Sequence, residues 1–388
     1  MKQHRIQELQ KNLARNTIDA VVIMQPRDLY YYSGTAQPCN LIVPQKGDPV
    51  LLVRRGWSFV CEETWIADYE KGGGGKSVLK KLKQMGIDGG VVGVEMDVVP
   101  YALIDRMNSL LEPYTLVNAS PLFLEQRMIK DPEEIERMRK ASLRFDLLHR
   151  TIKEHLRPGI REVDLFSKIL EVETRNEAEQ ILFIRRWDDW LPAAGTIVSG
   201  ENLYRISGHA HTVTGTGLGA ALPWGPSTRE IHEGDLVVAD CPLNYRGYHV
   251  DNARTYVLGQ PNKRQEDTYR SLLEVQDSTL KRIRPGVPVN EVFEHAMEKV
   301  KASGFEAYFQ GYGDSQGKYV GHGVGLEVDE PPVIDSDTTL PVQTQMTLAV
   351  ECKFIIPDFG AVFIEDTVVV QEQGVEILTR SERTLAVV

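Results

Sequence analysis

Five residues of this 388-residue chain have the types and spacing for metal chemistry. Asp240 ends the apolar run Leu236-Val237-Val238-Ala239, and Asp251 follows eleven residues later. Glu351 ends a similar run in Gln345-Met346-Thr347-Leu348-Ala349-Val350-Glu351, and Glu365 follows fourteen residues later. A carboxylate ending an apolar run is costly to bury unless it is paired or binds a cation. The fifth residue, His322, stands in Gly321-His322-Gly323-Val324-Gly325, where flanking glycines let the backbone approach closely and leave the imidazole accessible. The same stretch also reads as a tight loop with an incidental histidine, and it does not itself choose between the two. Four carboxylates and a neutral imidazole together carry −4. Two divalent cations balance that charge and leave room for a bridging hydroxide. Without them the converging acids would be strongly destabilising or protonated.

The elements that must position these groups come in pairs. Gly234–Gly259 reads as a strand, a turn at Asn244–Gly247 and a returning strand that carries Asp251. GDLVVAD (234–240) is echoed by QMTLAVE (345–351), and Gly247 with Asp251 is echoed by Gly360 with Glu365. A second echo joins Arg157-Pro158-Gly159 to Arg284-Pro285-Gly286, each between two helical patterns. Two echoes predict a duplicated unit of helices and antiparallel strands, with the acid-bearing hairpins facing each other across a pseudo-twofold axis.

The remaining sequence frames this unit. Residues 1–125 alternate helical and strand patterns, as in an α/β domain. Asp131-Pro132-Glu133-Glu134 marks a helix start, and Ile135, Met138, Leu143, Leu147 and Ile152 continue one apolar face to Arg157. The boundary is placed so that 1–125 and 126–388 form two domains. Net charge is −11 without a basic stripe, which argues against nucleic acid. The polar N-terminal segment has no signal-peptide character, and no run approaches membrane-helix length. Cys39, Cys61, Cys241 and Cys352 form no CxxC motif, which predicts a cytoplasmic protein. Cys241 and Cys352, each next to an acid, point to the opposite strand face as core thiols.

The set of residues resembles the creatinase, prolidase and aminopeptidase P group, the pita-bread metallopeptidases. The resemblance spans nearly the whole chain, from Arg5–Gly34 through the junction Arg127–Ile135 to the four acids and the histidine. It implies an α+β fold, with an N-terminal α/β creatinase-like domain followed by a duplicated pita-bread catalytic domain. It implies two divalent ions, whether Mn, Co, Zn or Fe. Asp240 would chelate one ion, Asp251 and Glu365 would bridge both, and His322 and Glu351 would hold the other. A bridging hydroxide would be the nucleophile and Glu351 the catalytic proton shuttle. Xaa-Pro peptides are the implied substrates, and a homodimer the implied assembly.

The departures concern the substrate. The peptidases carry a histidine in the segment matching Ala221–Pro226, where Trp224 is the nearest match here. They carry a second histidine seven residues after the ligand histidine, where this chain has Asp329. Aminopeptidase P-like members have an arginine at the position of Phe363. The usual Asp-x-Gly and Glu-Pro-Gly become Asp240-Cys241-Pro242 and Glu351-Cys352-Lys353. Losing two carbonyl-stabilising groups would cost roughly 3 kcal/mol each, so other groups replace them or the substrate is not an ordinary peptide. His209 and His211 either are solvated loop histidines or reach into the pocket. His249, two residues before Asp251, shares its face by strand alternation. Trp224 and Phe363 either make the pocket apolar or simply pack. A small-molecule C–N hydrolase or lyase is the first alternative to peptidase activity, and a non-catalytic binding protein the second.

Overall fold

The computed structural model describes residues 2–186, 195–208, 210 and 212–388. Two compact units divide the chain, Met1–Arg127 and Met128–Val388. The first holds a mixed sheet of β1 (Ala20–Ile23), β2 (Cys39–Pro44), β3 (Val50–Val53), β4 (Asp68–Lys71), β5 (Gly90–Val94) and β6 (Tyr114–Asn118). Their order is β4-β3-β2-β1-β5-β6. β1, β2 and β3 are buried at every residue, as runs that are apolar apart from Asn40 require, and Asn40 Nδ2 donates to Gly73 O (2.8 Å).

The second unit opens on helix Pro132–Ser142, with a complete capping box between Asp131 and Glu134 and a proline in the first turn. The apolar pattern predicts one helix through Ile152. The structure breaks it at Leu143–Arg144 and resumes at Phe145–His155. Leu143 is 75% exposed, so no burial holds it on the shared face. The Ser142 hydroxyl donates to the Arg139 carbonyl (2.8 Å), a local bond that competes with helix continuation.

The strands of this unit are β7 (Thr196–Ser199), β8 (Leu236–Asp240), β9 (Leu243–Tyr245), β10 (Tyr248–Val250), β11 (Ala253–Val257), β12 (Tyr319–Gly323), β13 (Glu330–Asp335), β14 (Thr347–Ile356), β15 (Gly360–Gln371), β16 (Gly374–Ile377) and β17 (Ala386–Val387). They form two main sheets, β17-β11-β8-β7 and β13-β12-β14-β15-β16, and a small β9-β10 hairpin. Helices Lys263–Arg282 and Val289–Ser303 bury Leu272, Val275, Val292 and Ala296 in one core with Val350, Cys352, Phe354 and Ile364. Among the described residues no helix is long and apolar enough to cross a membrane.

The duplication extends to individual hydrogen bonds. Gly159 and Gly286 both have positive φ, +82° and +86°, the conformation that favours glycine. Gly159 N–H donates to Ile231 O and Gly286 N–H to Val342 O, both at 2.8 Å. Ile231 N–H returns a bond to Ile160 O, and Val342 N–H to Val287 O, again both at 2.8 Å. Ahead of the acid-bearing strands, Gly234 N–H donates to Leu258 O and Gln345 N–H to Val370 O. Gln345 holds φ +69° where its counterpart is a glycine at +86°. The second copy therefore keeps the turn without the residue best suited to it.

Helix Glu162–Arg175 lies beside the first acid-bearing sheet. Its Glu162 accepts bonds from Ser199 N, Ser227 N and Asn202 Nδ2, which anchors the chain just beyond Ala221–Pro226. Glu173, at its far end, is buried, and its Oε1 has no hydrogen-bond partner among the described residues. Burial pushes the carboxyl up from 4.5 to about 8. The folded chain therefore keeps a proton that the unfolded chain releases near pH 4.5. Stability is full below that pH, falls as pH rises, and levels off above about 8. Glu173→Gln is expected to leave stability at pH 4 nearly unchanged and to raise it by roughly 3–5 kcal/mol at pH 8. Thermal unfolding at both pH values tests this, and an equal shift at the two would contradict it.

Candidate metal centre

Asp240 is the last residue of β8, as its apolar run predicts. Asp251 is placed differently from the expectation. It is not on a returning strand, because β9 and β10 interpose their own hairpin, and it occupies the break between Val250 and Ala253. That break is held from the second copy. Asp251 N–H donates to Thr367 Oγ1 (2.7 Å), and Thr367 Oγ1 donates to Asp251 O (2.9 Å). Asn252 Nδ2 and Arg254 Nη1 both donate to Glu365 O, at 3.0 and 2.6 Å. The two hairpins are thus cross-linked beside their acids.

Glu351 and Glu365 stand opposite each other in the antiparallel β14–β15 register. Like charges directly opposed on one face are destabilising unless something neutralises them. His322 is on strand β12 rather than in a tight loop, paired with Ala349 of β14 and Val333 of β13. Its glycine neighbours are explained by that packing. A Cβ on Gly321 would collide with the Ala349 carbonyl, and one on Gly323 with the Pro331 carbonyl. His322 Nδ1 lies 2.9 Å from the Gly323 carbonyl, an acceptor, which assigns the Nδ1 proton and turns Nε2 toward the acids.

Ligand atoms of Asp251, His322 and Glu365, all buried, lie within 4.8 Å of one another. That spacing suits one ion with nitrogen and oxygen ligands at about 2.0–2.2 Å. The electrostatics also fit a cation. Burial, then Asp240, holds the Asp251 carboxyl well above its ordinary range. Burial, then Asp251, does the same to Glu365. Burial and Glu351 push Asp240 up to about 7. Burial opposes a charged His322, but Asp329 and Glu351 outweigh it and raise the imidazole to about 10. A cation among these groups would displace the imidazole proton and ionise the acids.

The other sequence candidates fall in distinct places. Asp329 is 3.4 Å from His322 Nε2, and its side chain is 55% exposed. His249 is buried; Nδ1 contacts Gly325 O (3.0 Å) and Nε2 accepts from Phe183 N–H (3.2 Å), so both ring nitrogens hold backbone. Alternation from Asp251 does not reach it, because β10 ends at Val250. Trp224 is buried. Phe363 is fully buried, with its ring under an ammonium group. His209 and His211 lie outside the described residues. Cys241 and Cys352 are buried free thiols.

Three polar groups at the centre had no assigned role in the sequence reading. Thr212 Oγ1 donates to Asp240 Oδ2 (3.3 Å). Thr367 fixes Asp251 as described above. Lys353, completely buried, pairs with Glu351 Oε2, while Glu351 Oε1 faces His322 Nε2 at 3.4 Å. Burial works against an ionised Glu351, but Lys353 and His322 outweigh it and lower the carboxyl to about 2. Alternation carries the signal for Lys353, which is two residues from Glu351 on one strand and so on the same face.

Known proteins place the chain in a family. Residues 136–372 match the model for metallopeptidase family M24, and residues 5–129 match that for the creatinase/prolidase N-terminal domain. The chain is 30% identical over 386 residues to the Xaa-Pro dipeptidase of Pyrococcus furiosus, covering 98% of this chain and 99% of that one. The solved prolidase from Pyrococcus horikoshii has TM-score 0.80 at 26% identity, covering 98% and 99% of the two chains. The X-Pro aminopeptidase from Thermotoga maritima has TM-score 0.81 at 22% identity, covering 99% of each, and shares the fold. The expected architecture, a creatinase-like N-terminal domain with a pita-bread catalytic domain, is the one observed. With matches along its whole length, the chain belongs to metallopeptidase family M24 and is a hydrolase of the Xaa-Pro dipeptidase-like kind.

Proposed function

We propose that this chain is a divalent-metal-dependent hydrolase of Xaa-Pro dipeptides, with Asp240, Asp251, His322, Glu351 and Glu365 forming the metal centre. The convergence of Asp251, His322 and Glu365 carries the proposal. A bound divalent ion supplies Lewis-acid polarisation of a carbonyl and a water of lowered pKa. The chain's own groups do the rest. Lys353 keeps Glu351 ionised, the form from which a carboxylate accepts a proton from water. Thr212 orients Asp240, and Thr367 with Asn252 fixes Asp251. Asp329, at the solvent side of His322, offers a carboxylate to the ammonium end of a dipeptide.

The experiment is an assay of a panel of Xaa-Pro dipeptides with the chain loaded with manganese, cobalt or zinc. Hydrolysis with at least one metal, abolished by chelator, is expected. Failure with every dipeptide while metal is bound would overturn the peptide substrate and direct the search to non-peptide C–N bonds. Asp329→Asn is expected to raise KM several-fold with little change in kcat, and the reverse split would contradict its substrate role.

A further inference from the structure

Lys353 stands where this chain departs from its family's Glu-Pro-Gly, and its seat is fully formed. The side chain has 0% exposure. Its Nζ pairs with Glu351 Oε2, lies 3.5 Å from the Tyr319 hydroxyl, and sits 4.5 Å from the Phe363 ring centroid and 5.4 Å from that of Tyr319. Two aromatic faces and a carboxylate are the surroundings that keep a desolvated ammonium in place. The β14–β15 register sets Lys353 directly opposite Phe363, so the ring that replaces the aminopeptidase P arginine is the one that cradles this lysine.

We infer that the Lys353 ammonium takes the place of a second cation, so that this chain holds one divalent ion, at Asp251, His322 and Glu365, rather than two. The inference rests on the metal-centre reading above and deepens it.

Two observations carry it. One oxygen of each carboxylate a second ion would need already holds another partner, Asp240 Oδ2 with Thr212 and Glu351 Oε2 with Lys353, and Glu351 Oε1 stays beside His322 at the retained ion. Among the described residues, neither belongs to the cluster of converging ligand atoms. The second observation is the sign of the lysine's field. Its ammonium is bonded to Glu351, which stands opposite Glu365 in the strand register, so the charge lies among the groups that would otherwise attract the second ion. The four acids, Asp251, Glu351 and Glu365 buried and Asp240 half-buried, carry −4, and Lys353 reduces this to −3. One divalent ion then leaves −1, where without the lysine it would leave −2. A second dication would meet half the uncompensated charge and a fixed cation beside it. Asp329 does not reverse this, because it faces His322 on the side of the retained ion and solvent screens it. The two-ion expectation counted the acids and the histidine and omitted the lysine.

Metal stoichiometry after manganese loading and dialysis tests the inference by mass spectrometry of the metal. The wild-type chain is expected to retain one ion, Asp240→Asn also one, and Lys353→Gly two. Lys353→Gln, close in size and neutral, should likewise gain an ion and serves if the glycine variant does not fold. Two ions on the wild type, one on both Lys353 variants, or loss of the ion in Asp240→Asn would each overturn it. No ion on the wild type would overturn the metal-centre reading itself, a result distinguishable from two.

Discussion

Asp251→Asn is expected to abolish divalent-metal binding and to lower hydrolysis by about a thousand-fold or more, the scale on which one transition-state charge contact acts. The same substitution is expected to make the metal-free protein harder to unfold. Both follow from where the carboxylate sits. It is buried, its Oδ1 accepts from Asn252 N–H (2.9 Å), and an amide oxygen can keep that bond. What the amide cannot do is carry charge to a cation. Without metal, burial and the neighbouring Asp240 raise the Asp251 carboxyl well above its ordinary range. The folded state must then hold a proton that the unfolded state releases, so the residue destabilises the metal-free fold increasingly as pH rises. Asparagine removes that penalty. Calorimetric manganese titration and thermal unfolding in EDTA at pH 8 give the two readouts. Undiminished binding, or a lower melting temperature in EDTA, would contradict the assignment.

Arg254→Met is expected to cost about 3–5 kcal/mol of stability, the scale for breaking a buried ion pair. The guanidinium is buried and donates to Asp366 Oδ1 (2.7 Å), Glu365 O (2.6 Å), Ala253 O (2.9 Å) and Glu382 O (2.9 Å). Burial works against a charged Asp366, and Arg254 with Arg383 overcomes it, leaving the carboxyl below its usual range. Methionine would leave that carboxylate buried with the more exposed Arg383 as its main counter-charge and would release the Glu365 carbonyl. Lysine would not substitute, since a point charge cannot span these acceptors as the planar fork does. Arg254→Met/Asp366→Leu should recover part of the loss, because both charges leave together. Urea unfolding tests this, and a double variant less stable than the single one would contradict it.

Much of this arrangement is legible in the chain because charge in an apolar run is conspicuous. Asp240, Glu351 and Glu365 announce themselves against Leu236–Ala239, Thr347–Val350 and Val362–Ile364. The Arg-Pro-Gly echo reports a turn that needs positive φ twice. The misplacements have physical causes. Asp251 reads as a strand residue because the Asn244–Gly247 turn is taken to join the strand of Asp240 to its return, whereas it closes the separate β9–β10 hairpin, and that error carries His249 with it. Leu143 fits the helical period, yet a period does not say whether a partner covers the face. Lys353 stands out in the sequence only as a departure from Glu-Pro-Gly, and nothing adjacent to it marks it as buried. Its burial depends on Phe363 and Tyr319, which arrive from other strands. Arg254 likewise becomes informative only when the second hairpin supplies Asp366 and the Glu365 carbonyl.

The metal content of the wild-type chain, purified without chelator, decides most directly whether Asp251, His322 and Glu365 hold a cation. The expected result is a bound divalent ion that EDTA removes, with Xaa-Pro hydrolysis lost on removal and regained with manganese. A chain that retains no ion after loading, or that hydrolyses the dipeptide equally well without one, would contradict it.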